Sequence, residues 1–126
     1  MRIRDLIAKL QEAPCGDPSL DFWVWWWGEE AGPRGDEPEE RFADERILSA
    51  CSPHYSSNLD IAAGLVPEGY HWRLEKHRGR YVVSVSSPFD DLDTQAIEAR
   101  DAALALCAAV LRCRLSFVRD VMRGRH

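Results

Sequence analysis

Tyr70-His71-Trp72-Arg73-Leu74-Glu75-Lys76-His77-Arg78-Gly79-Arg80-Tyr81-Val82-Val83-Ser84-Val85 is the stretch that decides the fold. Tyr70, Trp72 and Leu74 alternate with His71, Arg73 and Glu75, the period-two pattern of a half-buried strand. His77-Arg78-Gly79-Arg80 supplies a turn, and Tyr81, Val83 and Val85 alternate again beyond it. The pair is a β-hairpin. A lone hairpin is not stable in water, so helices must cover one of its faces.

The flanking sequence supplies those helices. Ile3, Leu6, Ile7 and Leu10 recur at helical spacing with charged residues between them, and Pro14 and Gly16 end that amphipathic segment. Asp17-Pro18 is a cap followed by proline at the first helical position. Leu20, Trp23, Val24 and Trp27 then fall at i, i+3, i+4 and i+7. Phe22 to Trp27 are all residues that favour strand, but the start signal and the spacing together favour helix. Ser57-Asn58-Leu59-Asp60 resembles a capping box and opens a short helix over Asn58–Leu65, closed by Pro67 and Gly69. After the hairpin and an acidic loop (Pro88–Asp93), Thr94 is placed to cap a long helix. Ile97, Leu104, Leu111 and Val118 recur every seven residues, so the stripe runs from Thr94 to Met122, about 45 Å at the standard helical rise, with room for a break near Cys113–Ser116. The expected fold is α+β: a small α/β/α sandwich, helices on a short antiparallel hairpin or sheet, with a long C-terminal helix. The 126 residues form one domain of ordinary size.

Charge is unevenly laid out. The whole chain carries -5. Between Gly28 and Arg46 there are eight acids (Glu29, Glu30, Asp36, Glu37, Glu39, Glu40, Asp44, Glu45) against three bases (Arg34, Arg41, Arg46), a balance equal to that of the whole chain. With Gly28, Gly32, Pro33, Gly35 and Pro38 among them, residues 28–46 are expected to form a flexible acidic loop. An acidic chain argues against direct nucleic-acid binding, which needs a basic face. No apolar run approaches the ~20 residues that span a bilayer, and no apolar segment follows the charged N-terminus as a secretory signal requires. The expectation is a cytoplasmic protein. Four cysteines (15, 51, 107 and 113) include no Cys-x-x-Cys pair, and a disulfide framework is not expected.

Candidate sites are few. Cys51 and His54 could ligate a metal, but structural zinc wants four protein ligands and no second pair stands at a recognisable spacing; no metal or cofactor is expected. His54, Ser56, Ser57 and Asp60 lie close in sequence, as a nucleophile, a base and an orienting acid would, yet capping accounts for Ser57 and Asp60, and no Gly-x-Ser-x-Gly elbow exists. The most unusual feature is Trp23, Trp25, Trp26 and Trp27 within five positions. On a helix Trp23 and Trp27 share a face while Trp25 and Trp26 point elsewhere, so some indole surface should be left for a partner. Trp23, Trp25, Trp26 and Trp27, with Glu29, Glu30, Asp36, Glu37, Glu39 and Glu40 as an acidic surface for a basic partner, are the candidate partner-binding residues. Trp72 and Tyr70 are expected in the core between sheet and helix.

The run Tyr55-Ser56-Ser57-Asn58-Leu59-Asp60-Ile61-Ala62-Ala63-Gly64-Leu65-Val66-Pro67-Glu68-Gly69-Tyr70-His71-Trp72 resembles the phage ABA sandwich domain family of small phage and prophage proteins. The Leu65-Val66-Pro67-Glu68-Gly69 motif, the aromatic pair after it, the Leu20-Asp21 segment and the Ala/Leu-rich run Ala102–Leu111 carry the likeness. Asn58, Gly64 and the tryptophan cluster depart from it. The resemblance implies helices about a small sheet and a phage or prophage origin. It implies no chemistry and no site residues. The expectation is a non-catalytic protein that binds a host or phage protein, an inhibitor of host antiviral defence being one form this takes. The alternatives are a self-associating structural or accessory phage protein, as a homodimer, and a small metal-dependent hydrolase around His54.

Overall fold

Leu6, Ile7 and Leu10 are buried on one side of the first helix, α1 (Ile3–Glu12), as their spacing requires. In this computed structural model, residues 2–27, 53–86 and 96–122 are described, with side chains as far as Cys113. The acidic loop, Cys51, the Pro88–Asp93 loop and Thr94 lie outside them. Asp5 in the first turn of α1 and Lys9 in the last complement the helix dipole.

The second segment is helical despite its strand-favouring residues. Asp17 caps α2 (Pro18–Trp25) by accepting from the Leu20 amide at 2.8 Å, and Pro18 occupies the first turn. A side-chain cap removes one unpaired donor, and the apolar residues then bury Leu20, Phe22 and Val24. The helix opens into a wider turn at Trp26 and Trp27.

The third helix, α3 (Leu59–Ala63), is shorter than the spacing suggested, and its cap is one residue later. The Asn58 side chain accepts from the Ile61 amide at 3.1 Å, while Ser57 is exposed. Both residue types cap well; the extended backbone of Asn58 places its oxygen over the first turn.

The hairpin forms as expected. Strands β1 (His71–His77) and β2 (Arg80–Ser86) pair antiparallel from His71–Ser86 to His77–Arg80. Arg78 and Gly79 both take positive φ, 51° and 79°, as a two-residue turn matched to strand twist demands. A third strand, β3 (Ile97–Ala99), joins the other side of β2, giving the order β1-β2-β3. Here the long-helix expectation is corrected. Ile97 is no part of a helical stripe: it is a strand residue opposite Val83, and the burial of Ile97-Glu98-Ala99 alternates in-out-in. A seven-residue recurrence cannot separate one buried position on a strand from one on a helix.

The last helix, α4 (Ala102–Met122), starts after Asp101, whose carboxylate accepts from the Ala103 amide at 2.8 Å, and runs through Cys113–Ser116 unbroken. Every residue from Ala103 to Leu111 is buried. A helix buried on all sides needs neighbours on all sides. Those neighbours are β2 and β3, α1, α3 and the turn before α3, whose Tyr55 carbonyl accepts from Cys107 Sγ at 3.3 Å. The architecture is α+β, a three-stranded antiparallel sheet under helices packed about α4.

Candidate functional site

The tryptophan cluster, the first candidate surface, is mostly interior. Trp26 and Trp27 are buried and Trp23 and Trp25 are half-buried against the same core. Phe22 helps to absorb them: it meets Trp23 edge-on at 5.0 Å between ring centres, a geometry favoured by ring quadrupoles, and Trp25 at a tilt at 6.1 Å. The wider turn at the end of α2 departs from the regular helical spacing on which the sequence argument relied. Glu29, Glu30, Asp36, Glu37, Glu39 and Glu40 lie outside the described residues, so no joint surface of indoles and acids is on view.

The exposed indole is elsewhere. Trp72, expected in the core, is 36% exposed, the large apolar side chain left most open among the described residues. Its partner across the hairpin is Val85, which is buried. Trp72 stands on β1, at the edge of the sheet, and no described strand covers its outer side.

The hairpin has two unequal faces. Val83, Val85, Ile97 and Ala99 are buried beneath α4 and α1. The opposite face carries His71, Arg73, Glu75 and His77 from β1, Arg80, Val82, Ser84 and Ser86 from β2, and Glu98 from β3, none of them buried. Solvated faces are common in antiparallel sheets. What distinguishes this one is an open groove of about 420 Å³, lined by His71, Arg73, Glu75, Val82, Ser84 and Ser86, with Trp72 and Ala96 at its rim. Within it Glu75 is paired on both sides, by His77 Nε2 at 3.2 Å and by the Arg73 guanidinium. The His77 hydrogen bond, and then Arg73, hold its carboxyl below the usual range. Nearer the turn on the same face, Arg80 donates to the Gln11 carbonyl at 3.2 Å and lies 3.7 Å from Glu98.

The serine–histidine group behaves differently from its sequence spacing. Ser56 is fully buried and Asp21, on α2, is its partner; Asp60 is exposed on α3. Asp21 Oδ1 accepts from the Ser56 amide at 2.8 Å and from its hydroxyl at 2.6 Å. The same hydroxyl accepts from the Asp17 amide at 3.1 Å. Exposed His54 places Nδ1 3.6 Å from Asp21 Oδ2. The carboxylate therefore stands between serine and histidine. Nucleophilic catalysis needs the base beside the hydroxyl, and this hydroxyl is spent on Asp21 inside the core. The arrangement fastens the 53–57 turn to α2. Gly16 is part of the fastening, since a Cβ there would run into the Ser56 carbonyl and lie 2.7 Å from its Oγ. Asp21 was not legible as a site residue in the sequence, because a lone aspartate on an apolar helix face carries no mark of its distant partner.

Among the described residues, no group of three His, Cys, Asp or Glu side chains is gathered to hold a metal ion, and no helix is long and apolar enough to cross a membrane. Comparison with family models, curated proteins and solved structures returned no match to this chain.

Proposed function

We propose that this protein acts by docking on another protein through the open face of its sheet, without catalysis of its own. The observation that carries this is the grooved polar face of the sheet, bordered along β1 by the exposed Trp72, whose indole lies on the helix-facing side of that edge strand. Exposed aromatics beside polar groups are the usual anchors of protein interfaces. The resemblance to the phage ABA sandwich domain family supports a phage or prophage origin, and hence a host or phage protein as the partner. Inhibition of a host antiviral defence is one form that such docking takes. The acidic stretch 28–46, adjoining the end of α2 in sequence, would steer a basic partner towards the chain.

The test is affinity capture from host lysate on the immobilised protein, beside a Ser84→Glu variant whose new carboxylate would face Arg73 across the strands and occupy the groove. A defined host or phage protein retained by the parent, lost with Ser84→Glu, and bound again when purified supports the reading. No retained protein, or equal retention by a correctly folded variant, sinks it.

A further inference from the structure

Among the described residues, the outer side of β1 is an open strand edge whose sequence is complementary to itself. The two-residue turn closes on the pair His77–Arg80, and in such a hairpin the closing pair exchanges both main-chain hydrogen bonds. Stepping back by twos, His77, Glu75, Arg73 and His71 turn their main-chain groups towards β2. Lys76, Leu74 and Trp72 turn theirs outward. The Ser86 hydroxyl, 3.5 Å from the His71 carbonyl, fits that phase. Alternate outward N–H and C=O groups are a template for another strand.

Laid antiparallel on a second copy with Leu74 opposite Leu74, the edge satisfies itself. Arg73 of each copy falls opposite Glu75 of the other on the polar face, and Trp72 opposite Lys76 on the side facing the helices. The Lys76 ammonium already lies 5.4 Å from the centre of the Tyr81 ring, so its stem is laid along aromatic surface that the incoming indole would extend. The 36% exposed Trp72 would be covered. The register is specified as well. A shift of two residues, which keeps the outward groups paired, sets Arg73 against Arg73 or Glu75 against Glu75, and like charges directly opposite are destabilising. Among the described residues, the far edge of the sheet, β3, is three residues long and offers no comparable template, so the join closes as a two-fold dimer and does not propagate.

We propose that two copies of this chain join through β1, antiparallel about Leu74, fusing their three-stranded sheets into one. A strand edge buries less than a standard interface, so the dimer is of micromolar affinity. It covers Trp72 and so competes with docking at that indole, while leaving the β2 side of the groove free; Ser84→Glu tests the docking and Lys76→Pro the dimer, so the two readings fail separately.

The experiment is sedimentation velocity of the full chain from low to high micromolar concentration, with circular dichroism of every variant. The parent should pass from monomer to dimer. Arg73→Glu, which puts carboxylates opposite each other twice over, should weaken the dimer about tenfold or more, and the exchanged pair Arg73→Glu/Glu75→Arg should recover it to within a few-fold. Lys76→Pro, which removes an outward amide and is tolerated on an edge strand, should abolish dimerisation while the hairpin persists. A parent that stays monomeric throughout, a dimer indifferent to Arg73→Glu or Lys76→Pro, or no recovery in the exchanged pair would each overturn the proposal.

Discussion

Replacing Asp21 with alanine tests whether its buried carboxylate is a structural fastening. The side chain is 1% exposed and holds Ser56 by amide and hydroxyl at 2.8 and 2.6 Å. Asp21→Ala leaves the buried Ser56 amide unpaired, at ~1–3 kcal/mol. The hydroxyl contact adds about 1 kcal/mol, although the hydroxyl retains the Asp17 carbonyl at 3.1 Å as an alternative acceptor. The expected loss is about 3 kcal/mol, a large part of the ~5–15 kcal/mol that holds a domain together. For a chain of this length that lowers Tm by about 10 °C. Asp21→Asn keeps an oxygen in place of Oδ1 and should cost about half as much. Ser56→Ala should cost about 1–2 kcal/mol, and the two alanine changes together should lose less than their sum, because both break one contact. Urea unfolding followed by tryptophan fluorescence measures the four variants beside the parent. An Asp21→Ala loss below about 1 kcal/mol, or strict additivity with Ser56→Ala, would refute the fastening.

Three further outcomes follow from the same geometry. Gly16→Ala should destabilise by about 1–3 kcal/mol, since its new methyl meets Ser56 main chain that no rotamer change can move; unchanged urea unfolding would show that the 53–57 turn yields. Arg78→Gly should stabilise by about 1 kcal/mol, because Arg78 holds a left-handed φ of 51° that glycine adopts freely; a loss of stability would mean that the arginine side chain contributes more than its backbone costs. Burial, reinforced by Asp21 and Asp101, pushes the Cys107 thiol well above its ordinary 9.0. The folded state thus keeps that thiol protonated, and its contribution is whole below pH 9.0 and lost as the pH climbs from there towards the folded value. A thiol reagent at neutral pH should label exposed Cys15 in the native protein and Cys107 only after unfolding; fast native labelling of Cys107, read by peptide mass, would contradict its burial.

The sequence by itself determined what depends on neighbours along the chain. The apolar stripe of α1, the Asp17-Pro18 start of α2 and the alternation about Arg78-Gly79 are local signals, and each produced its element. Only the tertiary structure decided what depends on residues far apart. Ile97 fits a helical stripe or a strand equally well, and the presence of β2 beside it made it a strand. Four tryptophans on one helix looked like too much surface, but Phe22, the wider turn at Trp26–Trp27 and the core around α4 take up most of it. Trp72 alternates like a core residue, yet it lies on the strand left at the sheet's edge. Asp21 became the centre of a buried network because Ser56, 35 residues away, was brought against it. Periodicity states which side of an element is apolar; which sides are finally covered is settled by where the other elements pack.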